Sequence, residues 1–256
     1  MDIYFEMAKQ PVFTVEDVNK YYKNIHGARS AIKYLVAQNK AVKIRNNLYT
    51  CISAENGNPI ANRFQIASSI SHSSYVSHHT AMEYYGITDQ VFYEVYVSSD
   101  TRFHDFIFDG FTYHFVKSRL SEGIDAPAYT GGIRITDKER SLADCIKDLD
   151  KIAGLEELIA MISSIPDINE GKLLYYLHMY NNQFLYQKTG YLLQSFTEVP
   201  GLTDQFFDIC KEHMGKSKRY LTHDHNAARY NAEWKLVVPE NILQIKNGEV
   251  EADATI

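Results

Sequence analysis

Residues 13–50 restrict the fold most, because two short helical patterns and one hairpin pattern follow each other within them. A short helix is predicted before this segment, over residues 2–9. Thr14 can then cap a helix together with Asp17, three residues later, in a near variant of the capping box. One face of that helix carries the apolar side chains Val15, Val18 and Tyr22. We expect residues 24–27 to break it.

A second helix is predicted from residue 28 to about residue 38, with apolar residues at helical spacing on its inner face. Apolar and basic residues alternate over residues 42–45, as in a strand with one buried face. Asn46-Asn47 suits a tight turn into a returning strand at residues 48–50. This order of helices and hairpin predicts a winged helix-turn-helix over residues 1–52.

The outer faces of this module carry side chains that can reach phosphates and base edges. In such a module a helix fits the DNA major groove while a basic loop lies on the neighbouring backbone. Arg29 is the first candidate for reading bases, since a planar guanidinium can grip guanine twice. The same helix presents Ser30, Lys33 and Tyr34, which could serve bases or phosphates. Phosphate contacts are assigned to Lys20, Lys23, Lys43 and Arg45. The alternative is a small helical cap whose basic residues are simply solvated.

The charge of the chain is unevenly spread. Residues 1–50 contain eight Lys and Arg against four Asp and Glu, a net charge of +4. Residues 51–256 contain 18 basic and 28 acidic residues, a net charge of -10. A basic head on an acidic body favours DNA bound at one end only, with the body free to meet another partner.

Length and cysteine usage limit the class of protein. A chain of 256 residues with 45% hydrophobic residues can bury a sizeable core in two modest domains or one large one. Cys51, Cys145 and Cys210 are widely scattered, which predicts buried thiols in a reducing compartment and no disulfide framework or metal site. The N-terminus lacks a signal-peptide pattern, and no segment has the apolar length of a membrane span. We therefore expect a cytoplasmic protein.

The remainder of the chain predicts a second domain of mixed composition. Residues 53–60 are rich in turn formers and are the best candidate linker. Residues 61–240 place strand-like runs first, including residues 103–108 and a hairpin signal at Asp109-Gly110. Mostly helical patterns follow, among them a helix from about residue 183 to residue 196, before a last strand over residues 234–238. The acidic residues 241–256 are expected to fray. The fold class is therefore α+β, with a winged helix-turn-helix followed by a larger mixed α/β domain whose second half is helical.

Several stretches of this second part follow one another in a recognisable order. They are residues 75–87 (YVSHHTAMEYYGI), 94–99 (EVYVSS), 132–145 (GIRITDKERSLADC), 186–193 (YQKTGYLL) and 233–236 (EWKL). In this order they resemble the AbiEi family, bacterial antitoxins and transcriptional regulators of the abortive-infection AbiE type. With the N-terminal module, the resemblance covers nearly the whole chain.

The resemblance implies a type IV toxin-antitoxin operon that the chain represses by binding its operator through the winged helix-turn-helix. It also implies that residues 61–240 form a larger C-terminal domain that carries the antitoxin activity. The counterpart would be a nucleotidyltransferase-like toxin, which the antitoxin need not bind tightly. We expect inverted repeats in the operator, read by two copies of a monomer or weak dimer. DNA-contact roles carry over to the matching positions Arg29, Ser30, Lys33, Tyr34, Lys43 and Arg45. No catalytic set and no cofactor carry over. The acidic body departs from the more basic C-terminal domain that a second nucleic-acid site would need.

The histidines and the Glu-x-Lys tripeptide give only weak signals for metal binding or catalysis. His72, His78, His79, His104 and His114 give no convincing metal spacing, since adjacent His78 and His79 point about 100° apart on a helix. Glu233-Trp234-Lys235, with Asp224, has the spacing of a metal-dependent nuclease and supplies the rival hypothesis of a nuclease delivered to DNA. A third hypothesis is a ligand-sensing regulator without a toxin.

Two further polar clusters remain. Residues 137–140 open a predicted helix that Thr136 can cap, and they suit a first turn better than an active site. Lys216, Lys218 and Arg219 form a compact basic patch beside Tyr220. That patch is a solvated loop or a secondary site for phosphate or RNA.

Overall fold

A computed structural model describes residues 2–88, 90–151, 154–196, 200–222, 228–240 and 242. The described chain is mixed α and β, as predicted. Its contacts form two compact units: the first comprises residues 1–76, 92–118 and 124–135, and the second comprises residues 77–91, 119–123 and 136–256. Asp224 lies outside the described residues, and so does the predicted frayed tail apart from Ile242.

Ten α-helices and eleven strands lie in the described ranges. The helices are α1 Ile3–Met7, α2 Val15–Tyr22, α3 Ile25–Ala37, α4 Arg63–Ser69, α5 His78–Tyr84, α6 Lys138–Lys147, α7 Leu155–Ser163, α8 Glu170–Tyr180, α9 Gln183–Phe196 and α10 Asp204–His213. The strands are β1 Ala41–Arg45, β2 Leu48–Cys51, β3 Tyr75–Val76, β4 Glu94–Ser99, β5 Phe106–Phe108, β6 Phe111–Lys117, β7 Ile124–Asp125, β8 Ile135–Thr136, β9 Arg219–Tyr220, β10 Ala228–Asn231 and β11 Leu236–Pro239.

The first unit begins with three short helices packed on one apolar cluster. The predicted capping box is confirmed at the start of α2, where the Thr14 side chain accepts from the Asp17 amide and Asp17 accepts from the Thr14 amide. The predicted helix break is confirmed but is shorter than residues 24–27, since α2 ends at Tyr22 and α3 begins at Ile25. Asn24 is the N-cap of α3, its side chain accepting from the His26 amide, and Gly27 lies in the first turn. A short polar side chain at this position starts the next helix rather than a loop.

The β1–β2 hairpin turns at Asn46-Asn47, as predicted, with Asn47 in the left-handed region at φ 56°. Phe13 pairs with this hairpin as an isolated bridge: its amide donates to the Tyr49 carbonyl, and its carbonyl accepts from the Tyr49 amide. The strict alternation expected over residues 42–45 is broken, because the pairing register shifts between Lys43 and Arg45. In a regular strand Lys43 and Arg45, two residues apart, would share one face, and a bulge between them turns them to different sides of the hairpin.

The predicted linker, residues 53–60, forms a closed loop on this hairpin. Ile52 and Pro59 pair as an isolated bridge, and the Ile60 amide donates to the Cys51 carbonyl at 2.9 Å. The division given by the contacts falls after Val76. The linker predicted at residues 53–60, between a DNA-binding domain and a second domain, stays a prediction.

A six-stranded sheet in the order β5-β6-β4-β3-β8-β7 organises the rest of the first unit. The hairpin predicted at Asp109-Gly110 is confirmed: β5 and β6 pair antiparallel with Phe106 opposite Tyr113. Strand β4 pairs parallel with β6 and antiparallel with β3. The predicted strand over residues 103–108 is shorter than expected, since β5 begins at Phe106.

The second unit is mostly helical, as predicted, around one large core to which α6, α7, α8 and α9 all contribute. Helix α9 runs over the predicted residues 183–196. The strand predicted over residues 234–238 begins later, at Leu236, and Trp234 lies in the preceding turn. There Trp234 is buried against Gly190 of α9.

Three findings bear on the expected class. Cys51, Cys145 and Cys210 are all buried free thiols, as predicted. Among the described residues no helix is long and apolar enough to cross a bilayer. Within the same residues no cluster of three His, Cys, Asp or Glu side chains is placed to hold a metal ion.

Candidate functional site

A groove between α3 and the hairpin brings three predicted DNA-binding residues together. Arg29 and Lys33 lie one helical turn apart on α3, and Lys43 lies on β1. All three are exposed and line one cavity of about 260 Å³. Its apolar wall comprises Val15, Ile32, Val36 and Tyr49. This groove therefore gathers three of the predicted DNA contacts, two from α3 and one from β1.

The other predicted contacts on the helices lie outside this groove. Ser30 is exposed on α3, and Tyr34 keeps 61% of its surface exposed. Lys20 pairs with Asp17 at 2.8 Å on α2. Lys23 is exposed and ends α2 in the left-handed region at φ 51°. These side chains can contact a ligand, but they do not line the groove that Arg29, Lys33 and Lys43 share.

Arg45 is diverted from Lys43 by the bulge. Its guanidinium lies over the rings of Phe103 and Phe106, at 5.3 and 5.2 Å from their centroids. Burial there lowers the pKa of Arg45, and its Nη1 has no hydrogen-bond partner among the described residues. The phosphate role predicted for Arg45 therefore competes with packing inside the first unit.

Asn47, predicted only as a turn residue, also fixes the hairpin turn against α2. Its side-chain oxygen accepts from the Val15 amide at 3.0 Å, and its amide donates to Glu16 at 2.8 Å. The hydrogen bond from Asn47 lowers the pKa of Glu16. The only local signal was an Asn in a turn, which does not reveal a partner thirty-two residues away.

The second unit contains a buried polar helix, α6, for which the sequence predicted only a capped first turn. The cap of α6 is Asp137 rather than Thr136, and Asp137 accepts from the Arg140 amide at 2.8 Å. Asp137 also accepts from the Tyr176 hydroxyl at 2.6 Å and from Lys172 at 3.3 Å. The burial of residues 137–145 was missed because α6 reads as strongly polar along the sequence.

Arg140 is at the centre of this network. Its Nε donates to Asp144 at 3.2 Å and to the Tyr180 hydroxyl at 3.0 Å, and its Nη1 donates to the Glu122 carbonyl at 2.6 Å. The Tyr180 hydroxyl donates to Asp144. Burial, with the Asp144 charge, raises the pKa of Tyr180 well above its usual range. Because these groups satisfy one another, the network suits a structural role better than binding or catalysis.

Asp148 follows α6 and gives the second unit a pH-sensitive contact. It accepts from His78 at 3.3 Å, and Lys147 lies beside it. Burial would raise the pKa of Asp148, but the His78 hydrogen bond and the Lys147 charge outweigh it, so the pKa lies well below its usual range. A carboxyl with a depressed pKa stabilises the fold above its unfolded pKa, near 4, and loses that contribution as the pH falls.

We expect Asp148→Asn to flatten the pH dependence of the unfolding free energy below about pH 4. Wild type should take up one more proton on unfolding there than the variant does, because only wild type has the depressed carboxyl. Urea denaturation at pH steps from 7 to 2 measures this. Above pH 5 the difference between the two proteins should be constant, which serves as the internal control. Parallel curves down to pH 2 would contradict the assignment.

The basic patch at residues 216–219 is exposed in the second unit. Lys218 lies over both Tyr220 and Tyr230, at 5.6 and 5.7 Å from the ring centroids. These tyrosines flank Val237 in one cross-strand row of the β10-β11-β9 sheet. Arg219 instead lies over Phe184 of α9. Lys218 is thus held within the patch, and Lys216 is exposed beside it.

Residues of the nuclease and metal-site hypotheses make other contacts in the structure. Glu233 pairs with Lys211 at 2.7 Å, and Trp234 between Glu233 and Lys235 is buried. His114 lies against Asp105, at 2.8 Å from its carboxylate. Asp224, the other carboxylate of the nuclease hypothesis, lies outside the described residues, so that hypothesis stays a prediction.

The chain matches no protein-family model and no curated protein.

Proposed function

We propose that the protein is a DNA-binding autorepressor and antitoxin of the AbiE type. Residues 1–52 would act as a winged helix-turn-helix, with α3 as the recognition helix and the β1–β2 hairpin as the wing. The observation that carries the proposal is the shared groove of Arg29, Lys33 and Lys43. A duplex laid along α3 would meet three cations there, and counterions released from its phosphates would supply binding energy.

The distribution of charge supports DNA binding at this end of the sequence. The first fifty residues carry +4, whereas the remaining chain carries -10. Acidic surface elsewhere disfavours binding along the whole molecule and favours binding through the N-terminal module. Two copies on inverted repeats would place two such groove-forming modules on one operator.

The antitoxin half of the proposal rests on the ordered motifs of the later chain. Much of these motifs is buried: Val76, His78, Arg140, Cys145 and Gly190 belong to sheet, core or helix packing. Such residues indicate a shared fold rather than a shared active site. We propose that residues 61–240 form an antitoxin domain that counters a nucleotidyltransferase-like toxin. Growth rescue in cells that express the neighbouring toxin gene, with Arg29→Ala to separate repression from antitoxicity, tests this half.

Arg29→Ala and Lys33→Ala are expected to weaken binding to the DNA upstream of the protein's own gene. Loss of a base-reading contact should cost about 1–3 kcal/mol and reduce sequence preference. Loss of one phosphate contact should instead weaken all duplexes alike and reduce the salt slope by about one unit. Fluorescence anisotropy with operator and scrambled duplexes across a salt series separates the two.

Lys9→Ala is the matched control, since Lys9 is an exposed lysine of the first unit that pairs with Glu6 and lies outside the groove. It should bind like wild type. If all three variants bind like wild type, or if wild type prefers no duplex, the module is a structural cap and the repressor proposal fails.

A further inference from the structure

A second cavity in the first unit, of about 380 Å³, has both apolar and polar walls. Ile60 and Phe111 are among its apolar residues. Its polar residues include Arg63 at the start of α4, Asp109 in the β5–β6 turn and Tyr113 on β6. Cavities of this size, with a few convergent polar groups in an apolar wall, are typical of small-molecule sites.

Tyr113 is the residue that points to a ligand. Its side chain is 0% exposed, and its hydroxyl has no hydrogen-bond partner among the described residues. Buried hydroxyl groups nearly always have a partner. Burial, with the nearby Asp109 charge, raises the pKa of Tyr113 well above its usual range, so the hydroxyl keeps its proton and can donate.

Arg63 supplies a fixed positive charge to the same cavity. Its guanidinium lies 4.8 Å from the ring centroids of both Phe64 and Phe111. Two aromatic faces hold the side chain in one orientation. A cation and a hydroxyl donor in one cavity, beside the apolar side chains of Ile60 and Phe111, favour a ligand with a carboxylate and a flat apolar body. Asp109, exposed at the rim, opposes ligands with more negative charge, such as phosphates.

We propose that this cavity binds a small planar monocarboxylate and that its occupancy changes the affinity of the first unit for DNA. The carboxylate accepts from the Tyr113 hydroxyl and faces Arg63, while the flat body packs on Ile60 and Phe111. The regulatory part rests on the proposed DNA binding, whereas the ligand site does not.

Two sets of contacts connect the cavity to the hairpin. The Tyr113 ring stacks on Phe106, with centroids 4.7 Å apart and planes 3° from parallel. Phe106 in turn carries the guanidinium of Arg45, the last residue of β1. On the other side, the Ile60 amide donates to the Cys51 carbonyl of β2. A ligand that shifts Tyr113 or Ile60 therefore acts on both strands of the predicted wing.

The first test measures binding of benzoate and of its neutral analogue benzamide by isothermal titration calorimetry. Benzoate should bind wild type at least tenfold more tightly than benzamide does, because only benzoate pairs its charge with Arg63. Tyr113→Phe keeps the ring and its stack on Phe106 but removes the hydroxyl, and should weaken benzoate at least tenfold. Tyr75→Phe is the matched control, since the Tyr75 hydroxyl bonds to Ser118 at 2.9 Å, and should bind benzoate like wild type.

The second test measures DNA affinity with and without saturating benzoate. Wild type should change its affinity at least threefold, and DNA should change benzoate affinity by the same factor. Tyr113→Phe should bind DNA normally without benzoate and lose the response. Absence of benzoate binding to folded wild type, or equal binding to Tyr113→Phe, overturns the site and leaves a hydration site in its place. Benzoate binding without a change in DNA affinity overturns only the regulation, and failure to bind any DNA overturns the proposed function while the ligand site stands.

Discussion

Arg140→Met is expected to lower the unfolding free energy by about 3–5 kcal/mol. The side chains of Arg140 and Asp144 are only 1% and 3% exposed, so removing the guanidinium leaves a buried carboxylate without its cation. The Glu122 carbonyl and the Tyr180 hydroxyl lose a donor in the same change. Chemical denaturation at pH 7, followed by far-ultraviolet circular dichroism, measures the loss.

The double variant Arg140→Met/Asp144→Asn provides the decisive comparison. It removes both charges, while the asparagine oxygen can still accept from Tyr180, so it should be more stable than Arg140→Met alone. Lys138→Met is the control for losing a more exposed pair, since Lys138 meets an Asp167 side chain that is 70% exposed. It should cost less than about 1 kcal/mol. A cost below 1 kcal/mol for Arg140→Met would mean that the network is hydrated and not buried.

Gly190→Ala is the second change with a large expected effect, about 3 kcal/mol of destabilisation. A Cβ at this position of α9 would overlap the six-membered ring of Trp234. The ring cannot swing away, since its Nε1 donates to Gln194 at 2.6 Å and the Trp234 carbonyl accepts from Gln187. Both glutamines lie on α9 beside Gly190, so one helix face receives the tryptophan.

Gly171→Ala is the matched control in α8. A Cβ there would meet only Asn169, at an ordinary 3.5 Å. Alanine should therefore stabilise that helix by about 0.5–1 kcal/mol through its lower unfolded-state entropy. Thermal unfolding of both variants compares the two signs directly. If Gly190→Ala is also stabilising, Trp234 does not pack on α9 as described.

Local chemistry explains which elements were predictable. The Thr14 and Asp17 capping box and the Asp109-Gly110 turn each depend on residues at most three positions apart in the sequence. Both formed where expected. The break at Asn24 is shorter than predicted because the same short side chain that interrupts one helix can start the next. The meaning of Gly190 and Trp234, which lie in two separate motifs, emerged only from their contact.

The candidate sites were less predictable than the fold. Arg29 and Lys33 could be grouped from helical spacing, and Lys43 was expected near them as part of the wing. The separation of Arg45 from Lys43 required knowledge of a bulge that alternating residues do not reveal. Tyr113 was not predicted as a site residue. Aromatic residues are common in strands, and only the structure reveals that its hydroxyl lacks a partner among the described residues.

The discontinuous first unit also sets an order of events during translation. Strand β3 ends at Val76, but the strand that pairs with it in parallel, β8, begins at Ile135. At roughly 5–20 residues per second, several seconds of elongation separate the two. In that interval the N-terminal helices and hairpin have left the ribosome, while Phe103 and Phe106, which hold Arg45, arrive only midway. The part of the chain that is made first therefore completes its packing only after residues far along the sequence have been synthesised.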